Sequence, residues 1–290
     1  MTKTTLLLTF LIFVLFSTAC GDNNDPTKQI DENNSTNVQT IDKQDKKEDY
    51  TNRVINVGTI HAPPYEMVEN AEYSGPGIEI IIAVLENLEY EYTIQDYPWI
   101  RNLEMMQSGD LDMLVDTYIT PERQEFAYYS QIPYGIFPQA LFASSDSTIT
   151  FNGDLSTLKD YTIGIIRGYS YGPQFDTALK DYTINFSESN NVRNMFIKLE
   201  NNRIDLAADN LHEGREIIAE LGKEDKFVIL KPYFDTLFSY VIFSKKNNLE
   251  QLRNEYDATL LELIENGTVE SIFEKYEMGD LLEIMLMEIE

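Results

Sequence analysis

The chain has 290 residues, a formal net charge of −27 from 49 acidic and 22 basic residues, 43% apolar residues, one Cys and two His. That length is ordinary for about two domains, and the apolar fraction is that of a globular protein. The excess of carboxylates opposes binding to nucleic acid or to an anionic membrane surface. One Cys cannot close an internal disulfide, and with two His it is a poor supply of ligands for zinc or iron, so neither a metal nor a cofactor is expected.

At the N-terminus Lys3 precedes an apolar run over 6–16, and Ser17-Thr18-Ala19 are small residues directly before Cys20. The run is too short for a comfortable membrane span and has the flanks of a secretory signal. It resembles a bacterial lipoprotein signal, with Ser17 in place of the usual Leu, which implies cleavage after residue 19 and a lipid on Cys20. The expectation is a protein outside the cytoplasm, held to the bacterial cell membrane by that lipid. Residues 20–52 are nearly all polar and cannot bury enough surface to offset their ordering entropy, so they read as a flexible tether.

From Arg53 onward, β-rich runs alternate with amphipathic stretches of helical length. Strands are expected at 54–58, 90–95 and 112–115, with helices at 77–88 and 99–107 between them. This βαβαβ pattern predicts a doubly wound parallel sheet. A second series follows, with strands at 162–166, 182–186, 204–208 and 227–230 and helices after Pro173, at 191–200 and at 211–221. Two extended apolar runs, 139–143 and 239–244, lie where the chain would leave the first lobe and return to it. Helices at 249–264 and 269–276 would then complete the first lobe. The reading is an α/β fold of two lobes with two hinge crossovers: lobe 1 at 53–143 plus 240–290, and lobe 2 at 144–239.

Several motifs carry a resemblance. Gly77-Ile78-Glu79, Pro98-Trp99-Ile100-Arg101, Gly109-Asp110-Leu111-Asp112, Thr120-Pro121-Glu122-Arg123 and Ser130-Gln131-Ile132-Pro133-Tyr134 stand in order, and Gly164-Ile165-Ile166-Arg167-Gly168 and Asn202-Arg203-Ile204-Asp205 repeat the pattern later. Over 54–276 the chain resembles bacterial solute-binding protein family 3, the extracytoplasmic receptors of ABC importers for amino acids and related polar solutes. The resemblance implies a type II periplasmic-binding fold, a small polar solute, importer membrane subunits as partners and a monomer.

Between residues 53 and 143 there are 14 carboxylates but only three cations, Arg53, Arg101 and Arg123, and no Lys. Arg123 stands just beyond a predicted strand's carboxyl end, where open α/β sheets bind ligands, and its planar fork can grip a carboxylate. By resemblance it is the carboxylate anchor. The family's usual acid for a ligand amino group would fall at Asn210. Asp209 sits one residue early, and Asp116 is an extra carboxylate before Arg123, so a rebuilt ammonium site is one expectation and a ligand that is not an α-amino acid is another. Tyr65, Trp99 and Tyr118 are candidate aromatic walls.

Gly168-Tyr169-Ser170-Tyr171-Gly172 has a second reading. It places small groups and free N–H groups before a helix, suited to a ligand contact by Gly168 and Ser170. It also matches the nucleophile elbow G-x-S-x-G, which would make the chain a serine esterase using Ser170 and His212. A dehydratase-type lyase or a ligand-sensing module on the same fold are further alternatives, since fold does not fix function. A binding protein with no catalytic residue remains the principal reading.

Overall fold

In the computed structural model, residues 53–287 are described. The signal segment, Cys20 and the tether expected over 1–52 lie outside the described residues. Among those described, no helix is long and apolar enough to cross a membrane, and no cluster of three or more His, Cys, Asp or Glu side chains could hold a metal ion.

The chain opens with β1 (Ile55–Thr59), a short hairpin of β2 (Met67–Glu69) and β3 (Glu72–Ser74), α1 (Pro76–Asn87), β4 (Tyr92–Asp96), α2 (Trp99–Ser108) and β5 (Met113–Tyr118). It continues through α3 (Pro121–Phe126) and β6 (Ala127–Tyr129) into the long strand β7 (Gly135–Ser144). The second series is β8 (Thr162–Ile166), α4 (Pro173–Lys180), β9 (Asn185–Ser189), α5 (Val192–Glu200), β10 (Leu206–Asn210), α6 (Leu211–Glu220) and β11 (Phe227–Ile229). A second long strand, β12 (Asp235–Ser244), then leads to α7 (Glu250–Glu265), α8 (Thr268–Lys275) and α9 (Gly279–Met287).

β4, β1 and β5 form one parallel set, and β9, β8 and β10 form another. The two long strands join them into one continuous sheet, ordered β4-β1-β5-β12-β7-β10-β8-β9. Each long strand divides its pairing. The first half of β7 pairs with β12, from Gly135↔Ser239 to Gln139↔Asp235, and its second half pairs with β10, from Gln139↔Asn210 to Ala143↔Leu206. The second half of β12 turns to β5. This antiparallel pair carries both crossings between the parallel sets, which gives two lobes connected by two strands.

Each lobe repeats one small device at the start of its third parallel strand. Asp112, just before β5, is fully buried; its carboxylate accepts from the Asn56 backbone N–H at 3.0 Å and from Asn247 Nδ2 at 2.8 Å, and it pairs with Arg53. Asp205, just before β10, accepts from the Thr162 backbone N–H at 2.7 Å. In both, a carboxylate holds the neighbouring strand's first free N–H, fixing the register where the ladder begins.

The first lobe's core gathers Ile55, Val57, Ile81, Val84, Met113 and Phe243 with Leu252, Tyr256, Leu260 and Phe273 of the C-terminal helices. α7 and α8 therefore pack against the first parallel set. The second lobe packs in two layers, with Phe142, Phe196 and Ile217 on one face of its sheet and Leu158, Ile163, Phe175 and Leu206 on the other.

Three local departures from the sequence expectation have physical causes. The strand expected at 182–186 begins only at Asn185, because Tyr182 adopts φ of 53° and is 80% exposed in the turn after α4. The strand expected at 90–95 begins at Tyr92, after Glu89 has turned through φ of 59°. The β2–β3 hairpin turns through Asn70 and Ala71, both at positive φ, without the glycine that makes such turns easy to recognise.

Candidate functional site

A cavity between the lobes is lined by Ile60, Trp99, Asp116, Tyr118, Arg123 and Gln139 and, from the second series, by Tyr169, Ser170, Tyr171, Asp209, Asn210 and Glu213. Its free volume is about 20 Å³, room for a water molecule or two, so the lobes are closed on each other.

Arg123 reaches the cavity from α3. Thr120 caps that short helix, its Oγ1 accepting from the Arg123 N–H at 3.2 Å, which explains the Thr-Pro-Glu-Arg block as a capped turn that aims the guanidinium. Only 6% exposed, the side chain donates from Nη1 to the Tyr118 carbonyl and from Nη2 to the Gly168 carbonyl, both at 2.9 Å. Its guanidinium lies over the Trp99 ring at 5.1 Å. Trp99 Nε1 donates to the same Gly168 carbonyl at 2.8 Å. One carbonyl of the second series thus takes two hydrogen bonds from the first lobe, and Gly168 supplies the conformation for it, at φ of 79°.

Asp209 and Glu213 are buried, and Asp116 is half-buried. Asp116 turns out of β5 at φ of 53° and accepts from Ser239 Oγ at 2.8 Å. Burial pushes its carboxyl up, while the Ser239 hydrogen bond and the Arg123 charge pull it back. Asp209, near the end of β10, is 1% exposed and its Oδ2 has no hydrogen-bond partner. Burial holds it well above the usual carboxylate range, with Asp116 adding to the rise. Glu213 is raised well above its ordinary value by burial and then by Asp209 and Asp116. Asn210 is the N-cap of α6: its Oδ1 accepts from the Glu213 N–H at 2.8 Å, and its Nδ2 donates to Glu213 Oε2 at 3.3 Å. Its amide is committed to the helix end, which leaves Asp209 as the neighbouring acid with a free oxygen.

Of the residues expected from sequence, Arg123, Trp99, Tyr118, Asp116, Ser170 and Asp209 line the cavity; Gly168 does not, its carbonyl being taken by Trp99 and Arg123. Tyr65 does not. It is buried behind the cavity in the first lobe's core, with its ring 4.5 Å from Phe137, because the loop after β1 turns the side chain inward. Ser170 Oγ donates to Asp176 Oδ2 at 2.5 Å, and Asp176 also accepts from the Tyr171 N–H. No hydrogen bond joins Ser170 to His212 among the described residues; His212 Nε2 is buried without a partner. The G-x-S-x-G run is therefore a loop pinned to the first turn of α4, with its serine turned toward an acid instead of a histidine.

Sequence reasoning missed Glu213, Tyr169, Tyr171, Gln139 and Ile60. The signal for Glu213 was present: Asn210 followed by a Glu three residues on is a capping box.

A model of the family "Bacterial extracellular solute-binding proteins, family 3" matches residues 55–279, almost all of the described chain. The chain belongs to this family. "Probable amino-acid-binding protein YxeM" of Bacillus subtilis (strain 168) is 22% identical to this solute-binding protein over 286 residues, covering 97% of each chain. Among solved structures, a histidine kinase sensor domain similar to periplasmic binding proteins superposes with TM-score 0.68 at 21% identity, over 77% of this chain and 95% of that one. The substrate-binding protein of an amino acid ABC transporter gives TM-score 0.65 at 24% identity, over 77% and 98%. An ancestral arginine-binding protein bound to arginine gives TM-score 0.66 at 21% identity, over 77% and 97%. The solute-binding protein thus has the type II periplasmic-binding fold, two lobes around an interlobe cleft.

Proposed function

We propose that this chain is a lipid-anchored extracytoplasmic receptor that captures a small polar solute of the amino-acid and amine class and hands it to the membrane subunits of an ABC importer. Lobe 1 would be 53–143 plus 240–290 and lobe 2 would be 144–239, with β7 and β12 shared between them. The observation that carries the reading is the Gly168 carbonyl, which accepts from Trp99 and Arg123 across a cavity that both lobes line. Contacts that form only when the lobes meet are what a ligand needs to shift a hinged protein toward closure. No bond is made or broken in this function: Ser170 spends its proton on Asp176, so its oxygen lacks a general base in the imidazole position. The relatives named for amino acids support the solute class, and Cys20 would supply the anchor.

The test is a thermal-shift screen of the protein against amino acids, amines and small carboxylates, followed by small-angle scattering with each hit. A ligand that binds only the native state raises Tm by mass action, and a closing ligand lowers the radius of gyration. Hits that leave the radius of gyration unchanged would sink the capture mechanism. Ester hydrolysis that disappears in Ser170→Ala would replace it with an enzyme.

A further inference from the structure

Charge counting in the cavity gives an unusual result for a site expected to hold a zwitterion. Three carboxylates line it, Asp116 from the first lobe and Asp209 and Glu213 from the second, against one cation, Arg123. Both terminal nitrogens of that cation already donate to backbone carbonyls, and its face lies on Trp99. The Asp209 oxygen Oδ2, in contrast, is buried at the cavity without any partner. An orphaned carboxylate oxygen is costly unless a donor or a proton reaches it. The remaining walls are aromatic: Trp99, Tyr118, Tyr169 and Tyr171. Such faces attract an ammonium or its flanking methylenes.

We infer that the solute is a small organic dication, a straight-chain diamine with no carboxylate, with one ammonium held by Asp116 and the other by Asp209 and Glu213. This rests on the capture reading above and narrows it. With a cation beside them the three carboxylates can ionise, and with one guanidinium they then sum to −2, which a dication neutralises and a zwitterion leaves standing in a desolvated space. The two ends of a diamine would contact acids on different lobes, so binding and closure are the same event. An unbranched chain also needs the least widening of a cavity that is now about 20 Å³. Arg123 then acts as a clasp that ties the lobes through Gly168, with no part in holding a ligand carboxylate.

Calorimetry on the protein with putrescine, cadaverine, n-butylamine, L-glutamine and L-arginine tests this. At least one diamine is expected to bind, and L-glutamine is expected to give no heat. Asp209→Asn and Glu213→Gln, each checked by circular dichroism for native folding, should each weaken diamine binding by about tenfold or more, the loss of one desolvated charge partner. Glu213→Gln keeps the side-chain shape and covers the case in which the strand position does not tolerate change. Binding of L-glutamine or L-arginine but of neither diamine overturns the dication and leaves capture of a solute standing. Diamine binding that both folded variants retain in full overturns the site assignment. Silence from all five probes also overturns the dication, and the broad screen with scattering then judges capture separately.

Discussion

The carbonyl of Gly168 is where the two lobes hold one another, and the residue type matters for two separate reasons. Its φ of 79° costs a residue with a side chain about 1–2 kcal/mol. A Cβ placed there would also stand 2.4 Å from Ile100 Cδ1, on α2 of the opposite lobe, so α2 would have to give way for the lobes to meet. Gly168→Ala should therefore weaken the closed form specifically: solute affinity should fall by about 5- to 30-fold. Trp99→Phe removes one of the two hydrogen bonds to that carbonyl and should cost about 1 kcal/mol, roughly fivefold in affinity. Scattering with a closing ligand present checks both, since each variant should be more open than the wild type. Unchanged affinity in both variants would mean that the Gly168 clasp contributes nothing to closure.

At the scale of elements, the paired aspartates predict an asymmetry. Asp112 is buried and serves three partners, among them the Arg53 guanidinium, whereas the Asp205 hydrogen bond is solvent-exposed. Asp112→Ala should destabilise the protein by about 2–4 kcal/mol, because a buried network loses its centre, and Asp205→Ala by about 1 kcal/mol. Denaturant melts of the two variants decide it; equal losses would remove the distinction. The alternation of strand and helix was legible in sequence because period-2 and period-3.6 hydrophobicity mark each element, and the motif Gly-Asp-Leu-Asp marked the strand start that Asp112 pins. What could not be read was orientation. Tyr65 follows two prolines in a loop that suits a cavity wall, yet nothing local says that its ring turns to Phe137. Glu213 could be read as a helix cap, but which space its carboxylate faces depends on how α6 is set against the sheet. Strands of three residues, such as β2 and β3, are too short for any periodicity to register.

For the molecule as a whole, three buried carboxyls decide how stability follows pH. Burial raises Glu66, Asp209 and Glu213 well above their ordinary values of 3.8 for Asp and 4.5 for Glu, and repulsion from neighbouring carboxylates adds to all three. Between its ordinary value and its raised one, such an acid is protonated in the folded state and ionised in the unfolded one, so its stabilisation is complete below the ordinary value and is lost as pH climbs toward the folded one. His212 acts in the opposite direction: burial lowers it from 6.5, so acidification through that region favours unfolding. Three groups outweigh one, and the melting temperature should rise as pH falls from neutral toward the ordinary carboxylate range. Surface repulsion from a net charge of −27 gives a slope of the same sign but is screened by salt. The experiment is therefore a set of melts at high ionic strength. Glu66, fully buried with neither oxygen hydrogen-bonded, is the cleanest probe. Glu66→Gln should flatten the slope, and an unaltered slope would show that Glu66 is not among its sources.

The order in which the chain crosses between lobes also sets a timetable for its synthesis. On the proposed boundaries the second lobe is one uninterrupted stretch and has all its strands once β12 has left the ribosome. The first lobe begins earlier but finishes last, because Leu252, Tyr256, Leu260, Leu263, Val269 and Phe273, which cover one face of its sheet, belong to residues 246–290. At 5–20 residues per second those residues take about 2–9 s to make, and for that interval the core of Ile55, Val57, Met113 and Phe243 is covered only in part, by α1, on a nascent chain. A chain truncated after residue 245 should consequently fold to a protease-resistant second lobe joined to a first lobe that is still digestible and still attractive to chaperones.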